Sequence, residues 1–161
     1  MSAPDASPAR TLAMLAAVGI LYLIMMGSTF SSLGVVLPHM IAALKMNFGE
    51  AGFGFTLLVL AAGTSSILPA MIIRRSNGRT ALALGVLTMM LAYATMALCP
   101  NALVYDLGAA LLGTGFSLIG AVPALHVLGG WTGRNNSLVF GAYLAFGGLG
   151  GAIWPGVVVG T

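Results

Sequence analysis

The sequence predicts an all-α fold, a polytopic membrane helix bundle with five transmembrane helices. Three observations predict it. Of 161 residues, 59% are hydrophobic and 6% are charged, whereas about a quarter of a soluble domain's residues carry charge. The six basic and three acidic side chains fall between long uncharged runs. Glycine, at 23 residues, is concentrated inside those runs. Nine charges cannot coat a water-exposed surface, and a bilayer-crossing helix needs about 20 apolar residues.

The first ten residues, MSAPDASPAR, are polar and rich in Ser, Ala and Pro, so residues 1–11 are expected to be a disordered, cytoplasmic N-terminus. The apolar run that follows continues to Leu37, well beyond the 7–15 residues of a cleavable signal. Spans are expected at about 12–37, 51–73, 80–99, 103–128 and 136–160. Pro38 and His39 close the first. Asn47 and Glu50 stand at N-cap and N3 spacing, a capping box that opens the second. The run Arg74, Arg75, Ser76, Asn77, Gly78, Arg79 separates the second from the third. Cys99-Pro100-Asn101 turns the third into the fourth, and residues 129–136 turn the fourth into the fifth. On the insertion scale the three arginines would cost about 8–10 kcal/mol at the centre of a helix, so they lie at or beyond the interface.

Orientation follows from the loops. The N-terminus, the 74–79 loop and the 129–136 loop share one side and hold every basic residue except Lys45. The positive-inside rule puts that side in the cytoplasm, for an integral plasma-membrane protein. Asp106 then falls at the external end of the fourth span. Tyr105 and Trp154 fall near the outer interface and Trp131 near the inner one, as aromatic belts.

The glycines need a reason. In a water-soluble helix Gly147, Gly148, Gly150, Gly151 and Pro155 would together cost roughly 7 kcal/mol relative to alanine. In lipid, little hydrophobic force joins helices, and small residues let backbones approach. On the fifth span Gly141, Ala145, Gly148 and Ala152 make one small-residue face, with Gly147 and Gly151 beside it. Gly113, Ser117, Gly120 and Ala124 repeat the spacing on the fourth, and Gly27, Ser31, Gly34 and Pro38 on the first. Pro155 lacks the amide that would reach the Gly151 carbonyl, so a bend is expected there, either a fixed kink or a hinge.

Three segments carry a family resemblance. "MIIRRSNGRTALALG" (71–85), with Gly78 and Arg79 as its glycine–arginine pair, resembles the loop between helices two and three of the major facilitator superfamily. "LLGTGFSLIGAVPAL" (111–125) is similar to that family's fourth helix, with Gly113 and Gly115 at its glycines. "WTGRNNSLVFGAYLAFGGLGGAIWPG" (131–156) is similar to the fourth loop and fifth helix of the branch that carries monocarboxylates and other organic anions. The family's aspartate before the 74–79 loop has no counterpart between Glu50 and Asp106. The resemblance implies helices one to five of a twelve-helix fold, an incomplete N-terminal bundle over 12–161 whose sixth helix and C-terminal half are missing from this chain. It implies secondary active transport of a small solute, a monocarboxylate or other organic anion, by alternating access. A drug or metabolite exporter of the same superfamily is an alternative, and so is a small, non-transporting membrane module assembled through glycine-rich faces.

Under the resemblance the first and fourth helices line a central cavity. Tyr22, Met26, Thr29 and Phe30 on the first, and Thr114 and Ser117 on the fourth, are then candidate solute contacts, with helix packing as the alternative for each. His126 reads either as a cavity contact or as an interfacial histidine favoured by the helix C-terminus. Tyr143 offers a hydroxyl from the fifth span. Arg74, Arg75, Gly78 and Arg79 are candidates for a cytoplasmic gating loop, although topology alone explains their charge. Gly113, Gly120, Gly147, Gly148, Gly151 and Pro155 are candidate packing and hinge positions. The expected partners are the lipid bilayer, a small-molecule substrate, and the missing transporter half or another helix bundle. No catalytic constellation, phosphate loop, nucleic-acid patch, metal set or cofactor motif stands out, so no enzyme, no cofactor and no nucleic-acid partner is expected.

Overall fold

The computed structural model describes residues 8–31, 37–39, 41–42, 45–98, 100–132 and 136–159. Among these there is no strand. The helices are α1 (Pro8–Met26), α2 (Phe48–Thr64), α3 (Ile67–Arg75), α4 (Gly78–Ala97), α5 (Ala102–Ile119), α6 (Ala121–Thr132) and α7 (Asn136–Val159). A π-helical segment, Gly27–Ser31, continues α1. Five helical stretches are long and apolar enough to cross a membrane: Leu12–Phe30, Phe48–Arg75, Gly78–Ala97, Ala102–Gly129 and Ser137–Val157. They correspond one to one with the expected spans, the signature of a membrane-embedded protein.

The helix starts follow local chemistry. Asn47 Oδ1 accepts from the Glu50 amide at 2.8 Å, and Glu50 Oε2 accepts from the Asn47 amide at 2.9 Å, completing the capping box. Asn77 caps α4 through the Thr80 amide (2.9 Å), and Asn101 caps α5 through the Val104 amide (3.1 Å). Arg74 and Arg75 close α3, where cations suit the helix dipole. α1 begins at Pro8, inside the stretch expected to be disordered; proline suits the first helical position because its missing amide has no partner there anyway. Residues 1–7 lie outside the described residues.

Two of the five spans are interrupted helices. The second span breaks at Ser65–Ser66, between α2 and α3, and the fourth breaks at Gly120, between α5 and α6. Ser65 and Ser66 lie four and three residues before Pro69, and Gly120 lies three before Pro123. Pro69 cannot donate to the Ser65 carbonyl, which accepts from the Leu68 amide instead at 2.9 Å. Pro123 cannot donate to the Ile119 carbonyl, and Gly120 turns out of the helix with ψ −166°. By contrast α7 runs through Pro155 to Val159.

The chain forms two compact units. One holds residues 1–35 and 124–161, and in it α1 packs along α7. Their contacts advance together, Gly19 against Phe146 and Gly27 against Trp154, so the two helices run parallel. The other unit holds residues 36–123, with α5 packed between α2 and α4. Gly54 meets Tyr105 and Gly113 meets Leu58, a parallel pair. Gly85 meets Ile119, Gly115 meets Met89 and Gly108 meets Met96, an antiparallel pair. α5 therefore carries two glycine seams. Gly113 faces one neighbour, while Gly108 and Gly115 face the other.

The face of α7 is a correction. Gly141, Ala145, Gly148 and Ala152 are all exposed, and a Cβ on Gly141 or Gly148 would meet open space. The packed face is Tyr143, Gly147, Gly150 and Trp154, because a Cβ on Gly147 would enter the Tyr22 ring and one on Gly150 the Leu23 carbonyl. Gly151 is exposed. Tyr105 also departs from expectation. It is 1% exposed and packs on Gly54, so it faces its neighbour helix and not the lipid interface. Gly34 and the side chains of Ser31, Trp131 and Arg134 lie outside the described residues.

A Cβ at Gly113 would strike the Leu58 carbonyl oxygen, a backbone atom that cannot step aside. Gly113→Ala is expected to destabilise the bundle by about 1–3 kcal/mol, whereas Gly148→Ala is expected to be neutral or to stabilise by up to about 1 kcal/mol. Thermal unfolding in detergent, followed by circular dichroism, checks both; a larger loss at Gly148 would restore the 141/145/148/152 face as the seam.

Candidate functional site

Two groups of polar side chains lie at membrane depth, one in each unit, the first buried and the second part-buried. In the first, Tyr22 and Tyr143 stack with ring centroids 4.3 Å apart and planes at 22°. The stack forms because Gly147, one turn beyond Tyr143, leaves room for the Tyr22 ring. Both rings are buried, Tyr143 completely. The Tyr143 hydroxyl and the Thr29 hydroxyl, on a side chain that is also 0% exposed, have no hydrogen-bond partner. An unpaired hydroxyl away from water costs about 1–3 kcal/mol, so each is a place where water or a solute oxygen would be held. Thr29 sits in the π-helical segment, a local widening that often marks functional sites.

Of the expected contacts on the first span, the structure brings Tyr22 and Thr29 to the buried side. Met26 is half-buried and Phe30 is exposed.

The second group lies where the two broken spans face each other. Ser65 Oγ donates to Thr114 Oγ1 at 3.3 Å, and Thr114 Oγ1 donates to the Ala110 carbonyl at 3.0 Å. Beyond this clamp opens a notch of about 200 Å3. Ala62, Ser66 and Pro69 form one wall; Phe116, Ser117 and the turn Gly120–Val122 form the other. The notch lies just past the middle of each span. Thr114 is consumed by the clamp, while Ser117 lines the notch. His126 is exposed on α6 and is not part of it. Arg74, Arg75 and Arg79 are exposed, and Gly78 is buried at the start of α4. Among the described residues no group of three or more His, Cys, Asp or Glu side chains is placed to hold a metal ion.

Small-residue spacing does not single out Ser66 or Pro69. A repeat does. A shift of 86 positions carries "GSTFSSLGVV" (27–36) onto "GTGFSLIGAV" (113–122), matching Gly27, Phe30, Ser31, Gly34 and Val36 with Gly113, Phe116, Ser117, Gly120 and Val122. The same shift carries "ILPAMII" (67–73) onto "IWPGVVV" (153–159), matching Ile67 and Pro69 with Ile153 and Pro155. The first span thus repeats as the fourth, and the second as the fifth. The two parallel pairs each join one span from either copy. Their registers differ: Gly54 meets Tyr105, whose repeat images are Phe140 and Gly19, but Gly19 meets Phe146, nearly two turns further on.

Comparison with family models, with curated proteins and with solved structures finds no match.

Tyr143→Phe keeps the stack and removes the orphan hydroxyl. It is expected to leave stability unchanged or raise it by about 1 kcal/mol, while Tyr22→Ala is expected to cost about 3–5 kcal/mol. Unfolding in detergent decides; a Tyr143→Phe loss comparable to that of Tyr22→Ala would mean the hydroxyl is already satisfied.

Proposed function

We propose that the chain is the N-terminal part of a secondary active transporter of a small solute, of the major facilitator kind, with its N-terminus in the cytoplasm of a cell whose plasma membrane it spans. One observation carries the reading: the repeated spans pair across copies, first with fifth and fourth with second. Three crossings separate a span from its image, so the two copies traverse the bilayer in opposite directions. Inverted repeats of this kind are how many secondary transporters obtain two related faces around a midplane site. Alternating access would then be a rocking of bundles about that site, with no covalent step.

Helix irregularity at mid-depth supports the same reading. Non-helical backbone is tolerated within hydrocarbon only where it is buried in protein or lines a water-filled cavity, and here the fourth span opens at Gly120 and the second at Ser65–Ser66. The arginines of the 74–79 loop would make the gating contact with the partner half. If the solute is an organic anion, the compensating cation must come from outside the five spans, which contain no Lys or Arg between their loop-flanking ends. The second reading, a non-transporting module, is favoured by the exposed Gly141/Ala145/Gly148/Ala152 face, which suits a further helix.

The test is uptake into proteoliposomes of a panel of carboxylates, sugars and cationic drugs, by this chain and by the product of any reading frame that continues past the Thr161 codon. Saturable uptake of at least one solute, lost in Tyr143→Ala, is the expected result. A stop codon directly after Thr161, with no uptake of any solute by the folded protein, would favour the module.

A further inference from the structure

We infer that the notch between the second and fourth spans binds a small, uncharged solute that carries a hydroxyl on an apolar body. The inference deepens the transport reading and rests on it, since it names the class of solute at one of that reading's sites.

The hydroxyls make the first part of the case. Thr56, Thr64, Thr88, Thr95 and Thr114 each return their hydroxyl to a carbonyl one turn back on their own helix. Ser28 does the same toward the Met25 carbonyl, and Ser65 donates to Thr114. That is how a hydroxyl is normally satisfied in hydrocarbon. Ser66 and Ser117 are different. Both line the notch, and neither side-chain hydroxyl makes a hydrogen bond among the described residues. They belong to opposite walls, Ser66 to the second span and Ser117 to the fourth, so a guest in the notch has a hydroxyl available from either side.

The walls make the second part. Apart from the two serines the lining is apolar, with Phe116, Val122 and Pro69 supplying its bulk. No Lys, Arg, Asp, Glu or His belongs to it. An ionised guest would bring an uncompensated charge to mid-bilayer, which costs several kcal/mol even with water defects. A guest without a polar atom would leave both hydroxyls unpaired. What fits is neutral, has one or two hydrogen-bonding atoms, and fills about 200 Å3 against an aromatic ring. This excludes the organic anions that the resemblance implies from this part of the path.

The repeat makes the third part. Among the lining positions Phe116, Ser117, Gly120, Val122 and Pro69 are identical to their images Phe30, Ser31, Gly34, Val36 and Pro155, while Ser66 has Ala152 as its image. Glycine and proline serve the backbone and phenylalanine and valine serve packing, but a serine hydroxyl kept in both copies is required by neither.

Three probes of nearly one shape separate the possibilities: benzyl alcohol, benzoate and toluene. Equilibrium dialysis against the full chain in nanodiscs, with protein-free nanodiscs subtracted, reads their binding without requiring transport. The expected result is saturable binding of benzyl alcohol, weakened about five-fold by Ser117→Ala and by Ser66→Ala, the loss of one hydrogen bond each. Benzoate and toluene are expected to bind at least five-fold more weakly than benzyl alcohol. Ser66→Leu, which fills the notch from an exposed position, is expected to abolish binding with the helical spectrum unchanged. Equal binding of toluene and benzyl alcohol, preference for benzoate, or indifference to both alanine variants would overturn the inference. Binding as expected with no uptake in proteoliposomes would sink the transport reading alone; uptake indifferent to Ser66 and Ser117 would sink the notch alone.

Discussion

The structure depends on the closeness with which helix backbones can approach in a solvent that does not push them together. Hydrocarbon is as apolar as the side chains it surrounds, so association rests on dispersion contacts and on hydrogen bonds with no water competing. Dispersion falls steeply with a gap of even half an ångström. Glycine removes that gap. At Gly113 the α5 backbone comes down on the Leu58 carbonyl, at Gly150 α7 comes down on Leu23, and at Gly147 the space becomes a slot for a tyrosine ring. The same solvent explains what remains outside. Leu60, Leu87 and Leu107 are 57%, 62% and 64% exposed, which in water would be an aggregation liability and in a bilayer is the lipid-facing surface.

A second constraint governs the backbone. Every amide and carbonyl in hydrocarbon needs a partner, and proline withholds one. The second and fourth spans both answer a proline with a break and a rearranged turn, and the notch is the space those two breaks leave. Polar side chains nearby take up the resulting freedom. Ser65 and Thr114 clamp the spans, while Ser66 and Ser117 line the gap. A feature that weakens a helix thereby becomes a polar recess between these two spans.

The spans were legible in the sequence because length, hydropathy and charge placement are additive properties that no tertiary contact can reverse. The capping box at Asn47 and Glu50 was legible because its chemistry is local. The packed face of α7 was not. A helix that is small and apolar nearly all round has no periodic signal to choose one side, and the choice fell to the partner, through Tyr22 and Leu23. The breaks were missed for a related reason. Pro69 and Pro123 lie within long hydrophobic runs, where mean hydropathy hides them and only the unpaired carbonyl four residues earlier reveals their effect. Tyr22, Thr29 and Tyr143 could be named from their polarity within apolar runs. Ser66 could not, since its importance appears only when the second span lies against the fourth. The 86-residue repeat relates the notch-forming spans to the tyrosine-bearing spans, and it became visible only once the pairing of spans drew attention to them.

The account stands on lipid as the solvent of these helices, and one measurement reaches that claim directly. In a Cys99→Ser background, single cysteines at Leu60, Leu87, Leu107 and Leu144, all exposed on the protein surface, are challenged in intact membranes with a membrane-impermeant maleimide, with Ser76→Cys as the loop control after permeabilisation. The account predicts labelling at position 76 and none at the four leucine positions until the membrane is dissolved. Ready labelling of those four positions in the intact bilayer would contradict it.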